Sequence, residues 1–210
     1  IGAMIMVHGD DNGLVIPPHV APIQVVIVPI RQQAEGILDK CHEIAAKLKS
    51  LGIRVKIDES DKTPGWKFAE WEMKGVPLRL ELGPRDLEQG LVTLSKRYNG
   101  EKLTGSIESI EEEIPALLEQ IQKEMYEKAK AFLDAHIVDV ETIDELKAAL
   151  EKGGYARMAY CGLSECEDAI KSLTNGGTAR CIYKEEVKEG TLCPVCGAPA
   201  KLIAYFAKAY

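Results

Sequence analysis

Apolar positions along this chain fall into successive rhythms. Residues 1–8 form an apolar element, helix or strand, and GDDNGLVIPPHVAP after it is dense in Gly, Pro and Asp, which marks a loop or linker with a boundary near Ala21. IQVVIVPI is a nearly continuous β-branched run, the pattern of a strand buried on both faces of a sheet flanked by helices. From Gln33 to Leu51 the apolar residues Ile37, Leu38, Cys41, Ile44, Ala45 and Leu48 recur at helical spacing, which ends at Gly52. IRVKID alternates like a strand, GWKFAEWEMKG reads as a helix bounded by glycines, VPLRLELG as a strand, RDLEQG as a short helix and LVTLSKRY as the next strand. Strand and helix alternating in this way predict a layered α/β domain of about 80 residues.

A different rhythm begins at Ser109. Ile110, Ile114, Leu117, Leu118, Ile121, Met125, Phe132 and Leu133 share one face of a long amphipathic helix, with Glu and Lys on the other. Ser109 and Glu112 have the spacing of a capping box. Pro115 would cost about 3 kcal/mol in a helix interior, so the pattern predicts a kink or a start at that residue. TIDELKAALEKG is a second helix with Gly153 past its end. GYARMAYCG, a helical ECEDAIKSL, a turn at NGG, and strands in ARCIYKEE and AKLIAYFAKAY then predict a small α+β module with cysteines at its element ends.

An apolar share of 46% over 210 residues supports a buried core. No apolar run is long enough to cross a membrane, and IGAMIMVHGDD lacks the basic segment of a signal peptide, so a cytoplasmic protein is expected. The chain starts at Ile1 inside an apolar element, which reads as an interior cut in a longer polypeptide. The net charge of −7 argues against a nucleic-acid partner, but it is unevenly spread. Residues 62–102 carry eight Lys/Arg against six Asp/Glu, whereas residues 108–151 carry four against thirteen, so a mildly basic face upstream survives.

Six cysteines in a reducing compartment do not make a disulfide scaffold. CGLSEC places Cys161 and Cys166 at one turn, and TLCPVCGAP places Cys193 and Cys196 at another, 26 residues on. Paired thiolates at two glycine-containing turns are what a closed tetrahedral zinc site requires, and none of His8, His19, His42 and His136 lies near them, so the site reads as structural. A redox dithiol would place Cys-x-x-Cys at a helix amino terminus; here a Pro-containing turn leads into a strand. Cys41 is expected in the core and Cys181 as a packing residue within a strand.

DKTPGWKFAEWEMKGVPLRLELGPRDLEQG sets Trp66, Phe68 and Trp71 among Lys67, Glu70, Glu72 and Lys74, followed by Arg79, Arg85 and Asp86. Aromatics and Arg stack on bases, carboxylates accept from guanine N1 and N2, and Arg donates to guanine O6 or N7. By residue type alone the plainer reading is preferred: both Trp anchor a helix on the sheet and the charges are solvated.

GWKFAEWEMKGVPLRLELGPRDLE, however, closely resembles the anticodon-binding domain of the prolyl-tRNA synthetase family. MIMVHGDDNGLVIPPHVAPIQVVIVPI is similar to the passage into that domain from the family's third class II motif. YCGLSEC, CPVCG and the terminal AKAY resemble the zinc-containing carboxyl-terminal domain of its archaeal and eukaryotic type.

The resemblance implies a three-layer α/β anticodon-binding domain with a mixed sheet (residues 21–105), preceded by the tail of a catalytic domain and a linker (1–20). A helical connection (106–150) and a small zinc-stabilised α+β domain (151–210) would follow. It implies anticodon-guanine contacts at Glu72, Arg79, Arg85 and Asp86, structural Zn2+ on Cys161, Cys166, Cys193 and Cys196, and no catalytic residue in this chain. ATP and Mg2+ would belong to the full-length parent, a proline-tRNA ligase and homodimer whose catalytic domain lies upstream. The implied partner is the tRNA(Pro) anticodon stem-loop; neither membrane nor DNA is expected. Position 85 is Arg where the family can have Lys, which keeps the charge and adds a bidentate fork. Tyr210, directed toward the catalytic domain in similar enzymes, reads here as a frayed end, and His8 as structural. The rival readings are a freestanding zinc-stabilised interaction module docking through the Trp66 region, and the same region of a class II synthetase for threonine, glycine or histidine.

Overall fold

The computed structural model describes residues 1–209, which fall into two units meeting at Ala129 and Lys130; the terminal Tyr210 lies outside the described residues.

In the first unit the β-branched run becomes β1 (Val25–Pro29), every residue of it buried. Its neighbours are β2 (Val55–Ile57) and β3 (Leu78–Leu82), both parallel to it, and β4 (Leu91–Lys96) and β5 (Lys102–Ser106) extend the sheet antiparallel, in the order β2-β1-β3-β4-β5. The sheet is therefore mixed. One face packs on α2 (Ile37–Ser50) and α5 (Ile110–Ala135) through Val25, Ile27, Leu78, Leu80, Ile44, Ile114 and Leu118. The other face, through Val26 and Val28, packs on Trp71 and Phe68 of α3 (Pro64–Met73). Period-2 alternation thus sends the residues of β1 into two different cores, giving a helix–sheet–helix sandwich. The short α4 (Pro84–Gln89) joins β3 to β4. The apolar start of the chain is a helix, α1 (Gly2–His8), with none of its residues buried.

Several expectations are corrected. α5 begins at Ile110 and carries Pro115 inside it, neither starting nor breaking there. Proline removes one hydrogen bond, and the burial of Ile110, Ile114, Leu117, Leu118, Ile121 and Met125 offsets that loss. The Ser109 hydroxyl bonds the Glu113 carboxylate, not Glu112, and the Ser109 carbonyl accepts from the N–H groups of both. Phe132 and Leu133 are exposed. β5 lies outside the strands the pattern predicts, because LTGS between polar residues lacks a β-branched run; it pairs with the free edge of β4.

The second unit holds β6 (Ile137–Asp139), α6 (Ile143–Lys152), β7 (Tyr155–Tyr160), α7 (Ser164–Leu173), β8 (Gly177–Ile182) and β9 (Leu202–Lys208). Its sheet order is β6-β7-β9-β8, with β6 and β7 parallel and the other pairs antiparallel. Thr142 caps α6 through a reciprocal box with Glu145. Leu146, Leu150 and Ile170 of the helices bury against Met158, Ala204 and Phe206 of the sheet. Cys181 is exposed rather than packed: it lies on the edge strand of its sheet, where Arg180, Cys181 and Ile182 are all exposed, and a register shift against β9 falls between Ala179 and Cys181.

Candidate nucleic-acid interface and metal centre

On the α3 side of the first sheet, one rung crosses four strands in register: Val26, Arg79, Ser95 and Lys102. That rung floors a cavity of about 220 Å³, walled by Trp71, Glu72 and Val76 on one side and by Lys96, Arg97 and Gly100 on the other. Trp71 roots the α3 wall. Its indole N–H donates to Asp58 Oδ2 at 2.7 Å, and Asp58 Oδ1 accepts from the Ser60 hydroxyl at 2.6 Å and the Ser60 N–H at 3.0 Å. Burial pushes the Asp58 carboxyl up, but the bonds from Ser60 and Trp71 outweigh it and hold the group below its ordinary value. Lys67, buried, donates to the Asp58 carbonyl at 2.9 Å and to Gln32 Oε1 at 3.1 Å. Lys67 is therefore a structural cation beneath α3.

Of the four residues proposed for base contacts, Glu72 and Arg79 meet at this cavity. The Arg79 guanidinium lies 4.1 Å over the Phe68 ring, its Nε donates to Glu81 Oε1 at 3.0 Å, and its Nη2 lies in ion-pair contact 3.0 Å from the same oxygen. Arg85 and Asp86 sit beyond the far end of β3 in α4, with about 13 Å of strand between Arg79 and Gly83 at roughly 3.3 Å per residue. Arg85 is exposed; Asp86 Oδ2 accepts the Gly83 N–H at 2.9 Å and so caps its own helix. The four residues thus form two pairs along β3.

Lys96, Arg97, Lys102 and Glu81 were not singled out from the sequence. The signal was faint: SKRY reads as the polar end of a strand, and only the pairing of β4 with β3 sets Ser95 opposite Arg79 and brings the following Lys96 and Arg97 to the lining of the cavity. Lys96 is buried, its Nζ 2.8 Å from Glu101. Lys102 is exposed and lines the cavity mouth.

In the second unit the four cysteine sulfurs of Cys161, Cys166, Cys193 and Cys196 lie within 4.8 Å of one another. Cys161 follows β7, Gly162 turns the chain with φ +80°, and Cys166 sits in the first turn of α7. The second pair lies on a tight loop in which Gly197 N–H donates to the Cys193 carbonyl at 2.9 Å and Cys193 N–H to the Ala198 carbonyl at 2.7 Å. Thiolates bound at about 2.3 Å to a tetrahedral ion stand about 3.8 Å apart, and the Cys161 and Cys196 sulfurs are 3.8 Å apart. Burial pushes the Cys193 thiol up, yet the N–H groups of Cys196, Val195 and Cys161 aimed at it hold it down to about 6. Cys166 is pushed up, by its hydrogen bond to Cys161 first and by burial next. Four sulfur donors, three of them buried, around one point fit a metal ion, and a soft one by donor type. Cys41, by contrast, is a core residue whose thiol burial pushes up to about 12.

Residues 24–117 match the Anticodon binding domain family, and residues 143–210 match the family described as Prolyl-tRNA synthetase, C-terminal. A Proline-tRNA ligase of Lachnospira eligens is 47% identical over 211 residues, a match covering 100% of this chain and 44% of that protein. One from Ruminiclostridium cellulolyticum is 46% identical, with the same coverage. Among solved structures, prolyl-tRNA synthetase from Cryptosporidium parvum, complexed with L-proline and AMP, superposes with a TM-score of 0.93 at 40% identity, covering 100% of this chain and 45% of that one. The chain thus spans less than half the length of these relatives, and the matches do not favour a freestanding interaction module. From end to end, this chain corresponds to the anticodon-binding and C-terminal region of the prolyl-tRNA synthetase family.

Proposed function

We propose that this chain recognises the anticodon of tRNA(Pro) for a proline-tRNA ligase, with the first unit as the reading domain and the second as a structural domain. The ATP-dependent attachment of proline, with Mg2+, belongs in this reading to a catalytic domain carried upstream in a cytoplasmic homodimeric parent. One observation carries the reading: a carboxylate, Glu72, and an aromatic-stacked guanidinium, Arg79, share a polar cavity inside the domain that matches the anticodon-binding family. That pair supplies the acceptor for guanine N1 and N2 and the donors for O6 and N7. Arg85 and Asp86 would serve the second guanine from α4.

The test is equilibrium binding of a tRNA(Pro) anticodon stem-loop and of loops with either anticodon guanine replaced. Glu72→Gln, Arg79→Ala, Arg85→Ala and Asp86→Asn are each expected to cost about 1–3 kcal/mol of discrimination. Equal binding of cognate and altered loops by the unsubstituted chain would falsify the assignment.

The ion we assign to the four cysteines is zinc, on the strength of a donor set of four cysteine sulfurs, which suits a closed tetrahedral site. With four protein ligands it would brace the fold and leave no open position for chemistry.

A further inference from the structure

We infer that Glu81 and Phe68 are positioning residues that lock the Arg79 guanidinium into the orientation in which it reads a base; this rests on the reading of Arg79 as a guanine contact.

Arg79 and Glu81 are two residues apart on β3 and so share the α3 face of the sheet. Glu81 occupies the rung Val28, Glu81, Thr93, Thr104, directly beside the rung that floors the cavity. Its side chain is 12% exposed, and its Oε1 accepts from Nε of Arg79 at 3.0 Å and lies 3.0 Å from Nη2 as an ion pair. Phe68 covers one flat face of the guanidinium at 4.1 Å.

A guanidinium has five N–H groups. Glu81 occupies the one on Nε and lies against Nη2 as an ion pair. The N–H groups of Nη1 and Nη2 form the fork at the tip of the side chain that matches guanine O6 and N7. Free in solvent, an Arg samples many rotamers, and fixing them on binding costs affinity. Here the carboxylate restrains the long axis and the ring restrains the plane before any base arrives. Glu81 also offsets the charge of Lys102, whose Nζ is 4.0 Å away, so two cations can flank one cavity mouth.

The experiment uses the full 210-residue chain and labelled tRNA(Pro) anticodon stem-loops carrying guanine or 7-deazaguanine, which lacks the N7 acceptor, at each guanine position. Glu81→Gln keeps the size of the side chain and removes its charge. At the guanine Arg79 reads, the guanine-to-7-deazaguanine affinity ratio is expected to fall on the order of tenfold, with little further change when the substitution is made in Arg79→Ala. A merely structural role would weaken both loops alike and leave the ratio intact. Phe68→Leu keeps the ion pair, removes the ring face and is expected to lower the same ratio by a smaller factor, which keeps the test decisive if Glu81→Gln does not fold. Unchanged ratios in both variants, with the ratio lost in Arg79→Ala, would overturn the inference and leave the base-reading assignment standing. No discrimination by the unsubstituted chain at either position would overturn both.

Discussion

Arg97 grips Asp10 with both terminal nitrogens, Nη1 to Oδ2 at 2.7 Å and Nη2 to Oδ1 at 2.6 Å, while its Nε donates to the backbone carbonyl of Glu72 at 2.8 Å. One buried guanidinium thus ties the segment after α1 to the end of the helix that carries Glu72. Backbone bonds reinforce the tie: Leu14 N–H to the Met73 carbonyl at 3.0 Å and Ile16 N–H to the Gly75 carbonyl at 3.2 Å. Arg97→Lys keeps the charge but cannot serve a planar fork and a third acceptor together. It is expected to destabilise the first unit by about 1–3 kcal/mol and to weaken stem-loop binding. Urea unfolding and binding titrations on the same preparation check both.

Gly75, with φ +71°, is where α3 turns back to this strap, and a Cβ there would lie 2.6 Å from the carbonyl carbon and oxygen of Leu14. Both the left-handed backbone and the collision oppose any side chain. Gly75→Ala is expected to cost about 2 kcal/mol or more, whereas Gly100→Ala, at a similar φ with nothing within 4 Å, should cost less. Comparing their denaturation midpoints tests whether the strap is packed as described.

The Asp58 carboxyl is held below its ordinary value of 3.8, because bonds from Ser60 and Trp71 prevail over burial. The folded state therefore binds this proton less readily than the unfolded chain. Its stabilisation is complete above that ordinary value and is lost as pH falls through the lower folded value. Both tryptophans, Trp66 and Trp71, are in α3, so tryptophan fluorescence follows this unit. Urea midpoints read by fluorescence should drop between pH 6 and pH 3 by less in Asp58→Asn than in the unsubstituted chain. At neutral pH that variant should be less stable by about 2–4 kcal/mol, since Lys67 would stay buried without its counter-charge.

Metal removal should act on the second unit. The four sulfurs lie within 4.8 Å of one another, and bound zinc contributes on the order of 10–16 kcal/mol in small modules. A strong chelator is expected to abolish amide protection in β7 and α7 while the tryptophan transition changes little. Cys193→Ser should have the same effect and should release about one equivalent of metal per chain, measured by elemental emission.

Much of the architecture was legible in local pattern. The fully buried β1, the spacing of α2 and the end of α6 at Gly153 follow from periodicity and turn chemistry, which neighbours in sequence are enough to specify. The cysteine spacing pointed to a clamp, and the sulfurs lie close together because two tight turns, each governed by a left-handed glycine, leave them few alternatives. What failed were features set by a partner: β5, formed by the edge of β4; the start of α5 at Ile110 rather than at Pro115, held by its buried stripe; and the exposure of Cys181, on the edge strand beside β9.

By itself, then, the sequence determined which segments are strands and helices, which family motifs they carry and which cysteines can share an ion, because each of these depends on residues a few positions apart. Only the tertiary structure decided that Glu72 and Arg79 face one cavity, that Arg85 and Asp86 stand at the other end of β3, and that Glu81 and Phe68 hold the Arg79 side chain. Those relations arise from strand register and from the helix laid across it, which bring together side chains that no periodicity in the chain connects.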